Sequence, residues 1–358
     1  MQNDYYALLC LNNLGDGVMI AACITALADH MPRKQWVLVA KPSVCELYKH
    51  DKRIAAFIPY TCSWFPGVSG VSDGMHGFWR TVGRLRAFKC AAALNTVSDT
   101  RSNLLVRLAG IKKLISAYGR HGHWLSSDVV GYEIRYQHEV ERHLEMAARL
   151  VGQPLAPLHL DIRISLEDEQ SADILIHEMG DDNSLIAAIH PGANVDFKEW
   201  PLNHFAAVGR FLVQEKKCKV LVLGAPGREE GLAAELIGKI GSGAYNLAGK
   251  TPVRTLLALL KRCALYIGND SGPTHLAAAA ACPTVAIFGA TNPYRFGPYL
   301  AEDSKRIIRS PLFNFDAIGK ARESGKGMLD AVTVEMVTTA IDELWEKVTE
   351  RHALKEAR

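Results

Sequence analysis

Short apolar runs alternate along almost the whole chain with stretches in which apolar residues recur at helical spacing, the signature of parallel strands joined by crossover helices. In the first half the runs predict strands at Tyr5–Leu11, Gln35–Ala40, Ile54–Pro59, Ala91–Thr96 and Lys113–Tyr118, and Tyr132–Val151 predicts a helix. The second half predicts strands at Leu185–His190, Lys219–Leu223, Tyr245–Leu247, Leu265–Gly268 and Thr284–Phe288. Helices are predicted between them at Leu202–Glu215, Glu229–Ile240 and Val253–Arg262. Each strand is short, as buried parallel strands usually are. The fold class is therefore α/β, with two similar Rossmann-like halves.

A chain of 358 residues exceeds one ordinary core. Gly152-Gln153-Pro154-Leu155-Ala156-Pro157 interrupts regular structure where a junction is needed, and the linker is expected to run to about 168. Beyond it, Ser165-Leu166-Glu167-Asp168 has the pattern of a helix start. The domains are thus expected at 1–168 and 169–330, with a cleft between them. Residues 331–358 hold a last amphipathic helix, Val332–Val348, expected to pack back against the first domain.

Composition narrows the class further. With 48% hydrophobic and 22% charged residues the chain reads as a packed protein, not a disordered one. The longest apolar stretch, Leu276–Phe288, is broken by Pro283 and falls short of a membrane span. Met1-Gln2-Asn3-Asp4 lacks a basic leader, so a cytoplasmic protein is expected. The eight cysteines form no C-x-x-C pair and read as buried free thiols. Net charge is +3, unevenly spread: residues 1–160 hold 18 Lys+Arg against 12 Asp+Glu, and the remainder 23 against 26. Nine basic residues and one acid, Asp99, fall between Phe78 and Arg120. Such a segment either meets an anionic partner or is a solvated helix face.

Four loops that follow predicted strands carry candidate chemistry. Asn13-Leu14-Gly15-Asp16-Gly17 places Asp16 where α/β proteins bind ligands, although an N-cap would use the same residue. The position three after Gly17 is Ile20, so the dinucleotide fingerprint is incomplete. His190-Pro191-Gly192-Ala193-Asn194 is followed by Lys198, whose ammonium suits a phosphate or simply the solvent. In Gly224-Ala225-Pro226-Gly227-Arg228-Glu229-Glu230, Glu229 or Glu230 could accept ribose hydroxyls or serve as helix-start charge. Finally, Gly268 to Ala280 turns from a strand into an alanine-rich helix. There Ser271, Gly272 and Thr274 are candidates for a diphosphate, and Pro273 fits the first helical position. Asp270 is either a sugar contact or an N-cap, and His275 either a ligand contact or a structural histidine.

Taken in order, these segments resemble glycosyltransferase family 9, whose members include the heptosyltransferases of the lipopolysaccharide inner core. The resemblance rests on Gly15-Asp16, on His190-Pro191-Gly192-Ala193 with Lys198 and Trp200-Pro201, and on Leu247-Ala248-Gly249-Lys250-Thr251. Gly268 through Ala280, Pro283 and Phe288-Gly289-Ala290-Thr291-Asn292-Pro293 complete it. It implies a GT-B fold and an inverting transfer of heptose from an ADP-sugar to the Kdo/heptose core of lipid A. Asp16 would be the general base, and Lys198 with the amides around Ser271, Gly272 and Thr274 would receive ADP. Gly192, Ala193, Asn194, Glu229, Glu230, Asp270 and His275 would complete the donor site. Arg80, Arg84, Arg86, Lys89 and Arg120 would meet the acceptor, with peripheral contact at the inner membrane and no nucleic acid partner. No D-x-D occurs, so no metal or other cofactor is expected. Lys198 is followed by Glu199, where many relatives carry a second basic residue. The loop Tyr60–Gly77 is expected to shape the acceptor site. A GT-B sugar-nucleotide epimerase and a non-catalytic sugar-nucleotide-binding protein are the alternatives.

Overall fold

The computed structural model describes residues 5–62, 72–97, 99–118, 122–131, 135–156, 159–180, 184–315, 325 and 327–356. The chain divides after Arg163 into two units, where the sequence placed the boundary at 168. The first unit holds β1 (Tyr5–Cys10), β2 (Gln35–Ala40), β3 (Ile54–Pro59), β4 (Ala92–Asn95), β5 (Lys113–Ala117) and β6 (Asp128–Val130). They form one sheet in the order β3-β2-β1-β4-β5-β6, parallel throughout. The second holds β7 (Ile186–His190), β8 (Lys219–Val222), β9 (Ala244–Asn246), β10 (Leu265–Asn269), β11 (Thr284–Phe288) and β12 (Lys305–Arg309). Its order is β12-β11-β10-β7-β8-β9, again all parallel. Two Rossmann-like α/β units are what the alternating pattern required.

In each sheet the strand order reverses once, between β1 and β4 and between β7 and β10. Ligands of open α/β sheets bind beyond the carboxyl ends of strands at such a reversal. Asp16 follows β1, the His190 loop ends β7 and the Asp270 turn follows β10, so three of the four candidate loops stand at reversal points.

The central strands are apolar because helices cover both faces. β10 and β11 are buried at every residue, and the core of the second unit runs from Ile189 and Val222 through Phe205, Ile267 and Ile287. β6 and β12 are strands that the sequence did not predict. β6 spans three residues, and β12 is a charged edge strand with no residue fully buried. The helix predicted from Tyr132 begins at Glu139, where a reciprocal cap forms. The Val140 N–H donates to His138 Nδ1 at 3.1 Å, and the His138 N–H donates to Glu141 at 3.3 Å. Residues 132–134 lie outside the described residues. The helix start expected at Ser165 forms, and Asp168 there also accepts from Arg254 on the helix Val253–Arg262.

The terminal helix, Val334–Glu356, belongs to the second unit. Val337, Ala340, Ile341, Leu344 and Val348 lie along one stripe and are buried in that unit's core. The physical reason is complementarity of apolar and charged positions. The stripe completes the hydrophobic layer, and Lys216 meets Asp342 at 2.6 Å while Arg306 meets Glu343 at 2.7 Å. All eight cysteines are buried free thiols.

Candidate active site

The second unit brings its three candidate loops together. His190 ends β7 and is buried; its Nε2 lies 3.1 Å from Glu229 Oε2, and its Nδ1 lies 3.3 Å from Ser271 Oγ. The same Glu229 oxygen accepts from the Ala225 N–H at 2.7 Å. Burial raises the Glu229 carboxyl, but the hydrogen bonds from His190 and the Ala225 N–H outweigh that and hold the group below its ordinary value. Gly192 is required beside it: a Cβ there would sit 2.5 Å from the Glu229 carboxyl group. Glu230 turns elsewhere, accepting from the Gly227 N–H at 2.8 Å at the helix start. Of the two candidates for a ribose, Glu229 is the one directed into the loop cluster.

The second cluster is charged. Lys198 Nζ lies 2.6 Å from Asp270 Oδ2, and Asp270 is buried. Burial raises the Asp270 carboxyl, and the Lys198 ammonium with its hydrogen bond more than offsets this, leaving the group ionised. His275 is also buried, and burial pushes its imidazole down to about 4, so it is neutral at physiological pH. Its Nδ1 is buried with no hydrogen-bond partner among the described residues. The N-cap of the following helix, Gly272–Ala279, is Ser271 and not Asp270. Asp270 is thereby a charge partner of Lys198 rather than a cap.

Asn269 sets this geometry. Its Oδ1 accepts from the Trp200 N–H at 3.1 Å, and its Nδ2 donates to the Pro191 carbonyl at 2.8 Å. Trp200 is fully buried, and its Nε1–H donates to the Val332 carbonyl at 2.9 Å. The loop bearing Lys198 is thus nailed at Trp200 on one side and Pro191 on the other. Glu199 meets a basic group after all, because Arg228 arrives from the loop after β8, forming an ion pair with Glu199 and donating to the Ala193 carbonyl at 3.0 Å. A cavity of about 530 Å³ opens beside Asn194, lined also by Phe197, Glu199, Leu329 and Asp330.

The hydroxyls of Ser271 and Thr274 are turned inward. Thr274 Oγ1 donates to the Asn269 carbonyl and is buried, and Ser271 Oγ is occupied by His190. Ser271 makes no side-chain cap, Pro273 has no N–H and the Thr274 N–H donates to the Ser271 carbonyl at 3.2 Å, so of the first three helical positions only Gly272 keeps an N–H clear of these bonds. An anion at this turn is therefore met by main chain and not by hydroxyls.

In the first unit, Asp16 stands in the first turn of the helix Leu14–Met19, and its Oδ2 accepts from the Asn13 N–H at 3.2 Å. Gly17 packs against Val44, and the Tyr48 hydroxyl donates to its carbonyl at 2.8 Å. Lys41, just after β2, donates to Asn13 Oδ1 at 2.7 Å, and burial lowers its ammonium although the Asp16 carboxylate nearby opposes this. Arg80, Arg84 and Arg86 line the exposed face of the helix Gly74–Ala87, and Lys89 follows it, exposed. Arg80 pairs with Asp73 at 2.9 Å and Arg84 donates to the Phe57 carbonyl at 3.1 Å. Arg120 and residues 63–71 of the expected acceptor loop lie outside the described residues.

Residues 78–317 match the family model for glycosyltransferase family 9 (heptosyltransferase), which is more than half of the chain. The chain belongs to glycosyltransferase family 9. Membership makes it a glycosyltransferase, which decides against the epimerase and the non-catalytic reading. Among curated family 9 relatives, the lipopolysaccharide core heptosyltransferase OpsX of Haemophilus influenzae is 26% identical over 305 residues, covering 82% of this chain and 81% of its own. Among solved structures, the family 9 glycosyl transferase of Veillonella parvula aligns with a TM-score of 0.81 at 19% identity, covering 97% and 98% of the two chains. Escherichia coli heptosyltransferase WaaC, solved with ADP, aligns with a TM-score of 0.73 at 17% identity over 95% of this chain and 99% of its own. The same enzyme with ADP-2-deoxy-2-fluoro heptose gives 0.71. The likeness carries the two-domain GT-B fold. Reading the sequence singled out Asp16, Lys198 and Asp270 as candidates, but gave no separate role to Asn269, Arg228 or Lys41. Only the position of Lys41 just after an apolar strand, and of Asn269 just before the Asp270 turn, could have singled those two out.

Proposed function

We propose that this family 9 enzyme transfers a heptose from ADP-heptose to the Kdo/heptose inner core of lipopolysaccharide with inversion. The acceptor oxygen attacks the anomeric carbon, the bond from that carbon to the diphosphate oxygen breaks, and ADP leaves with the electron pair. Asp16 takes the acceptor proton as general base. Lys198, balanced in the resting site by Asp270, and the main-chain N–H groups at Ser271 and Gly272 stabilise the charge on the departing diphosphate. Departure of ADP then needs no metal. Asp270 contacts the donor sugar and Glu229 the ribose. Gly192, Ala193 and Asn194 flank the nucleotide.

The observation that supports this reading most is the Lys198–Asp270 pair, half-buried at the lysine and buried at the carboxylate, beside a helix start with no side-chain cap. A pair of this kind adds little to stability by itself. Relatives named as lipopolysaccharide heptosyltransferases supply the sugar and the acceptor. The enzyme works in the cytoplasm, with the Arg80–Arg84–Arg86 face and the exposed Met75 and Trp79 on the same helix toward the phosphorylated acceptor and the anionic membrane surface. No helix among the described residues is long and apolar enough to cross a membrane.

The deciding experiment incubates the purified enzyme with ADP- and UDP-sugars and heptose-deficient lipopolysaccharide, with and without a chelator, and reads product mass. One added heptose from ADP-heptose alone, unaffected by the chelator, is expected. Transfer only from a UDP-sugar would refute the donor assignment, and loss of transfer with chelator would refute metal independence.

A further inference from the structure

His190 belongs to none of the roles assigned so far, yet it is buried between Glu229 and Ser271 and touches both. The direction of its hydrogen bonds follows from Glu229. That carboxyl is held below its ordinary value, so at neutral pH it is ionised and has no proton to give. His190 Nε2 must then carry the hydrogen in the 3.1 Å contact. In the neutral ring Nδ1 is left as a lone pair, and the Ser271 hydroxyl must be the donor across 3.3 Å.

Two consequences reach the ligand. Both internal bonds to Glu229, from His190 and from the Ala225 N–H, fall on Oε2. Among the described residues none donates to Oε1, the Glu229 side chain keeps 16% of its surface exposed, and only a glycine at 192 fits against that oxygen, since a Cβ there would lie 2.5 Å from it. Ser271, having spent its hydrogen on His190, presents only lone pairs.

We infer that His190 is a positioning residue: it aims Glu229 Oε1 at the ribose hydroxyls of the donor nucleotide and, through the same ring, makes the Ser271 hydroxyl an acceptor. The inference rests on the nucleotide-donor reading above. It divides recognition chemically. Hydroxyl groups meet the acceptors Glu229 and Ser271, and phosphate oxygens meet only Lys198 and main-chain N–H groups.

The test measures the affinity of the whole enzyme for ADP and for 2′,3′-dideoxy-ADP, in the native protein, His190→Ala and His190→Gln. The native enzyme is expected to prefer ADP by about tenfold, the worth of a hydrogen bond to a charged group. His190→Ala should bring that preference close to unity, and His190→Gln, whose amide still donates to Glu229, should keep most of it. Unaltered preference in His190→Ala overturns the inference while leaving the nucleotide reading intact. Failure of the native enzyme to bind ADP at all overturns both. Should His190→Ala not fold, nitrogen NMR of the native imidazole decides: hydrogen on Nε2 is expected, and hydrogen on Nδ1 overturns the assignment.

Discussion

The two reversal points of the molecule are furnished in opposite ways. Beyond β7 and β10 the polar groups are tied to partners far away in sequence: Lys198 to Asp270 across 72 residues, His190 to Glu229 across 39 and Ser271 to His190 across 81. Beyond β1, Asp16 accepts from Asn13, three residues back, Lys41 and Tyr48 tie the same loop across 28 and 31 residues, and the basic helix of that unit keeps its arginines at the surface. A network closed by long-range side-chain bonds is already in place before the ligand arrives, whereas arginines at a surface adapt to it. The proposed function assigns the invariant nucleotide to the first arrangement and the variable glycolipid to the second.

The sharpest way to break this comparison is at Asp16. Asp16→Ala should lower kcat by about 100- to 10,000-fold, the range for a general base. Because the second unit binds nucleotide by its own network, ADP affinity measured by calorimetry should stay as it was. A drop in ADP affinity of similar size would mean that the two sites are not separable in this sense.

Lys198→Ala comes next and should act oppositely. Removing one preorganised cation from the leaving group is expected to cost about 100- to 1,000-fold in kcat, and ADP affinity should fall with it. It also strands the buried Asp270 carboxylate, so the thermal midpoint should drop. Adding Asp270→Asn should recover stability without recovering turnover. Recovery of both would make the pair a structural one.

The third effect is on stability against pH. His275 is held at about 4 against 6.5 for the free side chain, mainly by burial, with Asp270 opposing and Lys198 reinforcing. At neutral pH both folded and unfolded chains carry it neutral. As pH falls below 6.5 only the unfolded chain takes up the proton, so the second unit loses stability progressively down to about pH 4, by about 3 kcal/mol in all. His275→Asn should flatten that part of the denaturation profile. An unchanged slope would remove His275 as its source.

How legible these features were in the sequence follows the same division. Strands buried on both faces announce themselves as apolar runs, which is why β2 and β11 match the prediction end to end; β3, a half-exposed edge strand, matches because its residues happen to be apolar. β12, Lys-Arg-Ile-Ile-Arg, hides because an edge strand needs little apolar surface. The terminal helix was legible as a helix, but a stripe of Val337, Ile341 and Leu344 does not say which of two cores it completes. Within the site, residues contiguous with a strand end could be read off as candidates. Pairing could not, because Lys198 meets Asp270 and Arg228 meets Glu199 only through the adjacency of strands distant in sequence. Hydroxyl direction is equally invisible: Ser271 and Thr274 read as diphosphate donors until the structure places Ser271 Oγ against His190 Nδ1 and gives the Thr274 hydrogen to the Asn269 carbonyl.

The smallest effects belong to the basic helix, and their ranking decides whether it meets the acceptor or only water. Arg80→Ala, Arg84→Ala and Arg86→Ala should each raise the acceptor KM by about two- to fivefold, as exposed charge contacts do, without changing the donor KM. Arg86 should matter most, since Arg80 must first leave Asp73 and Arg84 already donates to Phe57. Raising the salt concentration should shrink all three effects together, because exposed charges are screened over about 10 Å at 0.1 M. If the acceptor KM stays flat at low salt, the face is a solvated one, and the acceptor's phosphates are met elsewhere in the first unit. If the donor KM moves instead, the division of labour drawn between the two reversal points is wrong at its root.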